Sequence, residues 1–231
     1  MNTYLASEIN VNDIVYNEPK QNQHGGNMVG LSFKGGKVVM QVPKASIPFG
    51  VNTMTTENNE VRKSLDISFK GLENNLKLQD FYDFVRGLDE RNQEMAVKNS
   101  PEWLKKKMSA EVVSELYKPL VNDKSEGKYP ATMRFKLPTD NDGNFTGKVF
   151  SPTRESMTLD DVTKGSEVSL IVEIQPMWFV NKQFGMTFKV AQIKLYKKAS
   201  MDEYAFRDDD DDLVTSETAS DLVDPEMDDT Y

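Results

Sequence analysis

The stretch that decides the fold is residues 166–179, SEVSLIVEIQPMWF, followed by residues 184–198, FGMTFKVAQIKLYKK. In the second segment apolar residues alternate with polar ones as far as Val190, and the alternation resumes at Ile193 one residue out of phase. Alternation with a period of two is typical of a half-buried β-strand, and a β-bulge near Ala191-Gln192 explains the phase slip. The two segments are therefore predicted to form a strand pair.

Shorter segments of similar composition surround this pair. Strands are predicted at 11–17 (VNDIVYN), 27–33 (NMVGLSF), 34–42 (KGGKVVMQV), 64–69 (SLDISF) and 131–137 (ATMRFKL). Lys34-Gly35-Gly36-Lys37 is a hairpin-turn signal. In residues 43–51, PKASIPFGV, the prolines at 43 and 48 suit an edge strand or a crossover. Several short strands with turns between them favour a mainly β fold, either a small barrel or a sandwich.

A helical pattern interrupts the strands. In residues 76–98 apolar residues recur three, four or seven positions apart, which predicts a helix with one apolar stripe. Ser100 then suits the N-cap of a second helix and Pro101 its first helical position. This helix is predicted to reach about Tyr117, with Val112 on its stripe. Both stripes are interpreted as core, with a partner groove as the alternative.

Charge divides the chain into two parts. The net charge of the 231 residues is −9, but residues 202–231 hold 13 acidic residues and one arginine. This segment therefore carries −12, and residues 1–201 carry +3. A basic body followed by an acidic tail is an electrostatic pair, although such tails also serve only as solvated solubility elements.

Several classes of protein are excluded by composition. Without cysteine the chain has no disulfide and no thiolate metal site, and a single histidine, His24, rules out a multi-imidazole site. Asp140-Asn141-Asp142-Gly143 lacks the spacing of a calcium loop and is better explained as a turn. We therefore expect no enzyme activity, metal or cofactor. With no signal segment and no long apolar run, we also expect an intracellular protein that does not enter the membrane.

Basic and aromatic residues are interleaved on the predicted strands. Proteins that hold single strands of nucleic acid combine cations that follow the backbone with aromatic rings on which bases stack. The alternative is that the aromatic residues are core and the lysines face water. The candidate nucleic-acid-binding residues are Lys34, Lys44, Phe49, Arg134, Lys136, Trp178, Phe179, Lys182, Phe184 and Lys189.

The order of these segments resembles the single-stranded DNA-binding proteins of T-seven-type phages and their relatives in large DNA viruses of eukaryotes. The resemblance covers nearly the whole chain, and no one segment is diagnostic by itself. It rests on PKASIPFGV (43–51), SLDISF (64–69), YKPLV (117–121), YPATMRFKLP (129–138), residues 162–196 and the acidic tail.

The resemblance implies an OB-fold-like five-stranded barrel in residues 1–200, with a helical insertion at about 77–118 and a disordered acidic tail at 201–231. It implies that Arg134 and Lys136 contact DNA. It also implies that Trp178 stacks on a base, with Met177 or Phe179 as the alternative match.

The tail is implied to compete with DNA for the cationic groove and, when displaced, to recruit replication proteins such as a DNA polymerase or helicase. Its candidate residues are Asp208, Asp209, Asp210, Asp211, Asp212, Asp228, Asp229 and Tyr231. Family members often dimerise, so a homodimer is also implied.

The sequence therefore predicts a non-enzymatic single-stranded DNA-binding protein. Its expected role is viral DNA replication, recombination and repair, at a replication site in the host cytoplasm or nucleus. One alternative is an acidic-tailed interaction module, such as a chaperone for basic proteins, that does not bind nucleic acid. The other is a metal-dependent nuclease.

Overall fold

Strands dominate the part of the chain that the structure, a computed structural model, describes, namely residues 2–21, 26–123 and 127–196. The strands are β1 (Val15–Gln21), β2 (Asn27–Ser32), β3 (Val39–Ser46), β4 (Val51–Thr55), β5 (Val61–Ser68), β6 (Tyr117–Lys118), β7 (Val121–Asn122), β8 (Thr132–Leu137), β9 (Lys148–Phe150), β10 (Ser156–Met157), β11 (Glu167–Ile174), β12 (Met177–Val180), β13 (Gln183–Gly185) and β14 (Phe188–Tyr196). The α-helices are α1 (Leu76–Lys98), α2 (Ser100–Trp103) and α3 (Ala110–Leu116). His24 and the predicted acidic tail lie outside the described residues.

Five strands close into a barrel in the order β3-β5-β8-β14-β11, with β11 returning to β3. Four of the five pairings are antiparallel, and the fifth, between β8 and β14, is parallel. That parallel seam joins Phe135 to Phe188 and Lys136 to Lys189. The predicted OB-fold-like five-stranded barrel is confirmed, and the helices are inserted between β5 and β8.

The strand pair predicted from residues 166–198 supplies two of the barrel strands. β11 and β14 pair from Glu167 opposite Tyr196 to Ile174 opposite Phe188. The register shifts where Ile171 faces Gln192 and the next residue of β11 faces Val190, which leaves Ala191 as the extra residue. The predicted bulge is therefore confirmed.

The barrel interior is filled by the apolar residues of these alternating strands. Its fully buried side chains include Met40, Leu65, Ile67, Met133, Phe135, Leu137 and Phe188. Phe135 and Phe188 meet edge to face across the parallel seam, with ring centroids 6.1 Å apart. Because alternate residues of a strand point to opposite faces, the polar residues between these positions lie on the outside of the barrel.

A second sheet of five strands, in the order β1-β2-β12-β13-β6, lies beside the helices. On its inner face Phe179 stacks on Phe184 with ring centroids 5.4 Å apart, and Phe184 contacts Tyr117 at 5.1 Å. Trp103 from α2 packs edge to face on Phe179, at 6.0 Å. The two segments that supply β11 and β14 to the barrel therefore also supply β12 and β13 to this sheet.

The first predicted helix is confirmed at its predicted bounds. α1 begins after Asn75, whose side-chain oxygen accepts a hydrogen bond from the backbone N–H of Leu78 at 3.2 Å. Phe81, Val85 and Leu88 on its stripe are fully buried, as expected for core. Among the described residues, no helix has both the length and the apolar character needed to cross a bilayer.

The second predicted helix is wrong as a continuous element. It is split into α2 and α3, and Lys105 between them has φ of 62°, a left-handed conformation that ends a helix. The break changes the helical phase, so Val113 rather than Val112 enters the core. Val112 is 41% exposed.

The predicted N-cap of the second helix is also wrong, because Asn99 occupies that position. Ser100 is buried, and its hydroxyl donates to the carbonyl of Val97 at 2.9 Å. The same oxygen accepts from the backbone N–H of Met108 at 3.1 Å. Ser100 thus connects the end of α1 to the segment that precedes α3.

A buried hydrogen-bond network connects α1 to the second sheet. The Asp89 carboxylate accepts from the hydroxyl of Tyr117 at 2.6 Å and from the backbone N–H of Leu120 at 3.0 Å. Asn92 donates to the Tyr117 hydroxyl at 2.9 Å and accepts from the Tyr16 hydroxyl at 2.7 Å. Burial raises the pKa of Asp89, since desolvation disfavours its charged form.

The predicted turn at residues 34–37 joins the two sheets. Phe33 and Gly36 exchange backbone hydrogen bonds of 2.9 and 3.0 Å, and Lys34 and Gly35 have φ of 50° and 76°. Positive φ at both central residues is the type I′ geometry of tight hairpins. Here, however, the flanking strands β2 and β3 pair in different sheets.

Pro43 corrects the expectation of an edge strand or a crossover. It lies within β3, which pairs with β11 on one side and with β5 through Ser46 and Ser68 on the other. The register between β3 and β11 shifts between Val168 and Leu170, beside Pro43. A bulge accommodates proline in a barrel strand because the strand is not required to donate a hydrogen bond there.

Candidate nucleic-acid interface

Lys136 and Lys189 are adjacent on the outer surface of the barrel. They pair directly across the seam between β8 and β14, and Lys136 also pairs directly with Ser64 of β5. Directly paired residues share one face of a sheet. Glu173 is paired with Lys189, Asp66 is paired with Arg134, and Lys37, just before β3, forms an ion pair with Glu173. We name this set of residues the barrel strip; it comprises Lys37, Ser64, Asp66, Arg134, Lys136, Glu173 and Lys189.

Glu173 is the acidic partner of two lysines of the barrel strip. It pairs directly with Lys189, and its carboxylate lies 3.9 Å from that ammonium group and 2.8 Å from the ammonium group of Lys37. Lys136 is exposed and has no carboxylate partner within the described ranges. Three lysines therefore face one glutamate in this part of the strip.

Arg134 forms a bidentate ion pair with Asp66 on the neighbouring strand. Its Nε and Nη2 atoms donate to the two carboxylate oxygens at 2.8 and 2.9 Å. These hydrogen bonds raise the pKa of Arg134, because they stabilise its charged form. The arginine side chain remains 65% exposed, so it keeps donors directed to solvent while its charge is offset by Asp66.

Lys34 and Lys44 have local partners of their own. The ammonium group of Lys44 lies 2.6 Å from the carboxylate of Glu167 and 4.9 Å from the ring centroid of Tyr196. The ammonium group of Lys34 lies 5.0 Å from the ring centroid of Phe33. Glu167 offsets the charge of Lys44, which reduces the attraction of that position for an anion.

Phe49 is an exposed aromatic residue on the loop that leaves β3. Its exposed fraction is 68%, and the following residue, Gly50, has φ of 73°, a conformation that other residues adopt with strain. Phe49 lines a groove whose charged residues are Lys63, Lys164 and Asp160. These two lysines were not identified from the sequence.

Phe179 and Phe184 correct the predicted set of stacking residues. Phe184 is fully buried and Phe179 is 9% exposed, since both belong to the inner face of the second sheet. A base cannot stack on a ring that is enclosed by Trp103 and Tyr117. Both phenylalanines are therefore core residues and do not belong to the candidate site.

Trp178 points to the other face of the second sheet, where it is half-buried. It is the central member of a row of direct cross-strand partners, which we name the sheet row: Lys20, Met28, Trp178, Gly185 and Lys118. Lys182 lies in the adjacent β12–β13 turn, with φ of 62°. Lys20 and Lys118 were missed because the row assembles segments that are far apart in sequence.

Asp140 organises a turn between β8 and β9. One of its carboxylate oxygens accepts from the backbone N–H groups of Asn144 and Asp142, at 2.8 and 3.0 Å. The Asn144 hydrogen bond is the main cause of a lowered pKa for Asp140. Within residues 2–21, 26–123 and 127–196, no group of three or more His, Cys, Asp or Glu side chains is arranged to hold a metal ion.

Comparison with known proteins gives one family match. Residues 62–208 match the model of a family described as a family of unknown function, DUF5871. An uncharacterised protein, L291, of Acanthamoeba polyphaga mimivirus is 24% identical over 172 residues, which is 71% of this chain. The matched region is 27% of the mimivirus protein, so this chain spans about a quarter of that relative's length.

Two solved structures of phage proteins are also similar. One is gp2.5, a single-stranded DNA-binding protein encoded by bacteriophage T7, with 13% identity and a TM-score of 0.46. That match covers 74% of this chain and 98% of the phage chain. The other is the single-stranded DNA-binding protein of bacteriophage Enc34 in complex with single-stranded DNA, with 12% identity, a TM-score of 0.42, and coverage of 79% and 96%.

Proposed function

This chain belongs to the DUF5871 family of unknown function, and we propose that it binds single-stranded DNA. The observation that carries the proposal is the pair Lys136 and Lys189 on the outside of the five-stranded barrel. Among the described residues, the two lysines share one acidic partner, Glu173, which forms an ion pair with Lys189. The pair therefore keeps a net positive charge, and positive charge attracts a polyanion. Neutralising phosphates releases their counterions, so binding is expected to weaken with salt.

The position of Lys136 supports the proposal, because it lies on one of the two barrel strands with which OB-folds bind oligonucleotides; Lys189 lies beside it on the fifth barrel strand, β14. In OB-folds the binding surface is the face of the second and third barrel strands, together with the loops between strands one and two and between strands four and five. Here those strands are β5 and β8, and the loops contain Phe49 and Trp178. A fold alone does not specify a function, so the chemistry of the site comes from its lysine side chains.

Because Phe179 and Phe184 are buried, the stacking candidates are the exposed ring of Phe49 and the half-exposed ring of Trp178. Phe49 lines a groove with Lys63, Lys164 and one acidic residue, Asp160, and Trp178 is four positions before Lys182 in the chain. Each stacked base contributes roughly 1–3 kcal/mol with little preference for sequence. Binding of this kind suits a protein that covers single strands of any sequence.

The wider role that we propose is viral DNA replication, recombination and repair, without enzyme activity. We place it at a viral replication site in the host cytoplasm or nucleus. The acidic segment with residues 208–212, Asp228, Asp229 and Tyr231 competes with DNA for the cations and recruits replication proteins such as a polymerase or helicase. A homodimer is part of the same proposal. The support for these roles is the sequence resemblance and the division of charge between body and tail.

The first experiment is a titration of the full chain with a labelled oligodeoxythymidine at two salt concentrations. We expect binding that weakens with salt. A variant with neutral tail residues is expected to bind more tightly, because a competing polyanion has been removed. Its substitutions are Asp208→Asn, Asp209→Asn, Asp210→Asn, Asp211→Asn and Asp212→Asn.

Absence of binding by both proteins would reject the DNA-binding function. It would favour an acidic-tailed interaction module, in which the tail binds basic proteins and the barrel is a scaffold. Binding followed by cleavage of the oligonucleotide on addition of Mg²⁺ would instead indicate a nuclease.

A further inference from the structure

We propose that the outer face of the second sheet is a separate contact surface for the same single strand of DNA, formed by the sheet row. This inference rests on the proposed function and adds a second surface to the barrel strip. The strand would cross the sheet roughly perpendicular to its β-strands. Lys20 and Lys118 would bind phosphates at the two ends, and Met28 and Trp178 would form an apolar platform between them.

The register of four strand pairs defines the row. Lys20 is opposite Met28, Met28 is opposite Trp178, Trp178 is opposite Gly185, and Gly185 is opposite Lys118. Direct partners share a face, and the neighbouring residues Val29, Met177, Phe184 and Tyr117 are buried on the opposite face. The row therefore faces away from the core.

The row combines cations with an apolar centre. Lys20 and Lys118 are exposed, and neither has a carboxylate partner within the part of the chain that the structure covers. No member of the row is acidic; Glu18, also exposed, lies at the bulge of β1, two positions before Lys20. Four strand spacings separate the two lysines, a distance of about 19 Å. A single strand of a few nucleotides spans that distance.

Gly185 explains how Trp178 is held. A Cβ atom at Gly185 would lie 2.9 Å from Cζ2 of Trp178 and 3.1 Å from the carbonyl oxygen of Lys118. Only glycine leaves room for the indole to lie over this strand, and a glycine within a strand marks a close approach of this kind. The indole is thereby positioned in advance, and its half-exposed surface is available for stacking.

The sheet row and the barrel strip are close along the chain. Gly185 of the row and Lys189 of the strip are four positions apart, a separation that spans at most about 14 Å. One nucleic-acid strand is long enough to contact both surfaces. Duplex DNA offers no unstacked bases to the platform, so the row favours a single strand.

The test uses the full chain, a fluorescein-labelled oligodeoxythymidine and two double variants that remove equal charge. The row variant is Lys20→Gln with Lys118→Gln, and its matched control is Lys98→Gln with Lys107→Gln on the helical segment. Both pairs are exposed lysines, so folding is expected to be unchanged. We expect the row variant to bind several-fold more weakly at low salt. Its slope of log K against log salt is expected to fall by about 1.4, whereas the control keeps the slope of the unmodified protein.

Tryptophan fluorescence supplies the second measurement. The chain has two tryptophans, and Trp103 is buried at 4% exposure. Quenching by DNA is therefore expected to come from Trp178 and to disappear in Trp178→Phe. Equal affinities and slopes in the row variant and its control, with quenching retained in Trp178→Phe, would overturn the sheet row. If Lys136→Gln with Lys189→Gln still weakens binding in that case, the proposed function stands; if the unmodified protein does not bind, both are wrong.

Discussion

Lys136 of β8 and Lys189 of β14 are direct neighbours across the parallel seam that closes the barrel. The seam between β8 and β14 consists of two residue pairs, and one of them places two like charges side by side. Adjacent like charges oppose each other unless a counter-charge is present. Glu173 supplies part of that counter-charge at 3.9 Å from Lys189, and we propose that a DNA phosphate supplies the remainder.

The first prediction concerns these two lysines. Lys136→Gln with Lys189→Gln is expected to lower the slope of log K against log salt by about 1.4, since two phosphate contacts are lost. Thermal unfolding is expected to be unchanged or slightly higher, because a like-charge pair has been removed. Fluorescence anisotropy and a melting curve measure the two effects. An unaltered slope would show that DNA does not contact the seam.

The second prediction concerns Asp66. Asp66→Asn removes the charge that offsets Arg134, so affinity for single-stranded DNA is expected to rise. Stability is expected to fall by no more than about 1 kcal/mol, since the arginine is largely exposed. Arg134→Ala is the companion variant and is expected to weaken binding. A parallel loss of affinity in both variants would mean that Asp66 orients the arginine rather than competing for it.

The third prediction separates the core phenylalanines from the exposed one. Phe184→Ala is expected to lower the free energy of unfolding by about 3–5 kcal/mol, because it leaves a cavity between Phe179 and Tyr117. Phe49→Ala is expected to change it by less than about 0.5 kcal/mol, because the ring is exposed. Urea unfolding measures both. A weaker DNA affinity in Phe49→Ala, with stability retained, is the expected signature of a stacking residue.

The fourth prediction concerns the pH dependence of Asp89. Burial raises its folded-state pKa above the unfolded value, so the folded chain holds this proton more tightly than the unfolded chain. The stability contributed in this way is present at low pH and is lost as pH rises through the folded pKa. Asp89→Asn is expected to be destabilised, because its amide group cannot accept all the hydrogen bonds from Tyr117 and Leu120.

The amide introduced by Asp89→Asn does not titrate between acidic and neutral pH, so the variant does not lose this stability as pH rises. The difference in unfolding free energy between the unmodified protein and the variant is therefore expected to narrow as pH rises. Urea unfolding of both proteins across the acidic to neutral range provides the measurement. A gap that widens with pH would mean that the Asp89 carboxylate is stabilised, rather than penalised, in the folded chain.

Local patterns in the sequence were sufficient for the main strands of the barrel, whereas the choice of a barrel over a sandwich came from the family resemblance. The alternation around Val190 and Ile193 predicted both the strand and its bulge, because a half-buried strand shows its faces in the sequence. The bounds of α1 followed from its apolar stripe and from the Ser100-Pro101 signal that ends it. The break at Lys105 was not predictable in this way, since no glycine or proline marks it.

The candidate site was less predictable, because alternation separates two faces without telling which face is covered. Trp178 and Phe179 are both aromatic and adjacent in sequence, so the pattern does not distinguish them. In the structure Phe179 packs against Trp103 of a distant helix, whereas Trp178 is half-buried on the opposite face. The sheet row was not predictable for a similar reason, because Lys20 and Lys118 enter one row with Trp178 only through pairings between strands far apart in sequence.

The order of the barrel strands also determines when the chain is able to fold. β3 is made early, but its main partner, β11, and the seam strand β14 are made last among the described elements. The barrel therefore cannot close during synthesis until β14 has left the ribosome. Until then β3 lacks its pairing with β11 and β8 lacks its pairing with β14. Unpaired strand edges are prone to aggregation, and closure through such distant contacts is slow. Closure of the barrel accordingly depends on the whole of residues 39–196.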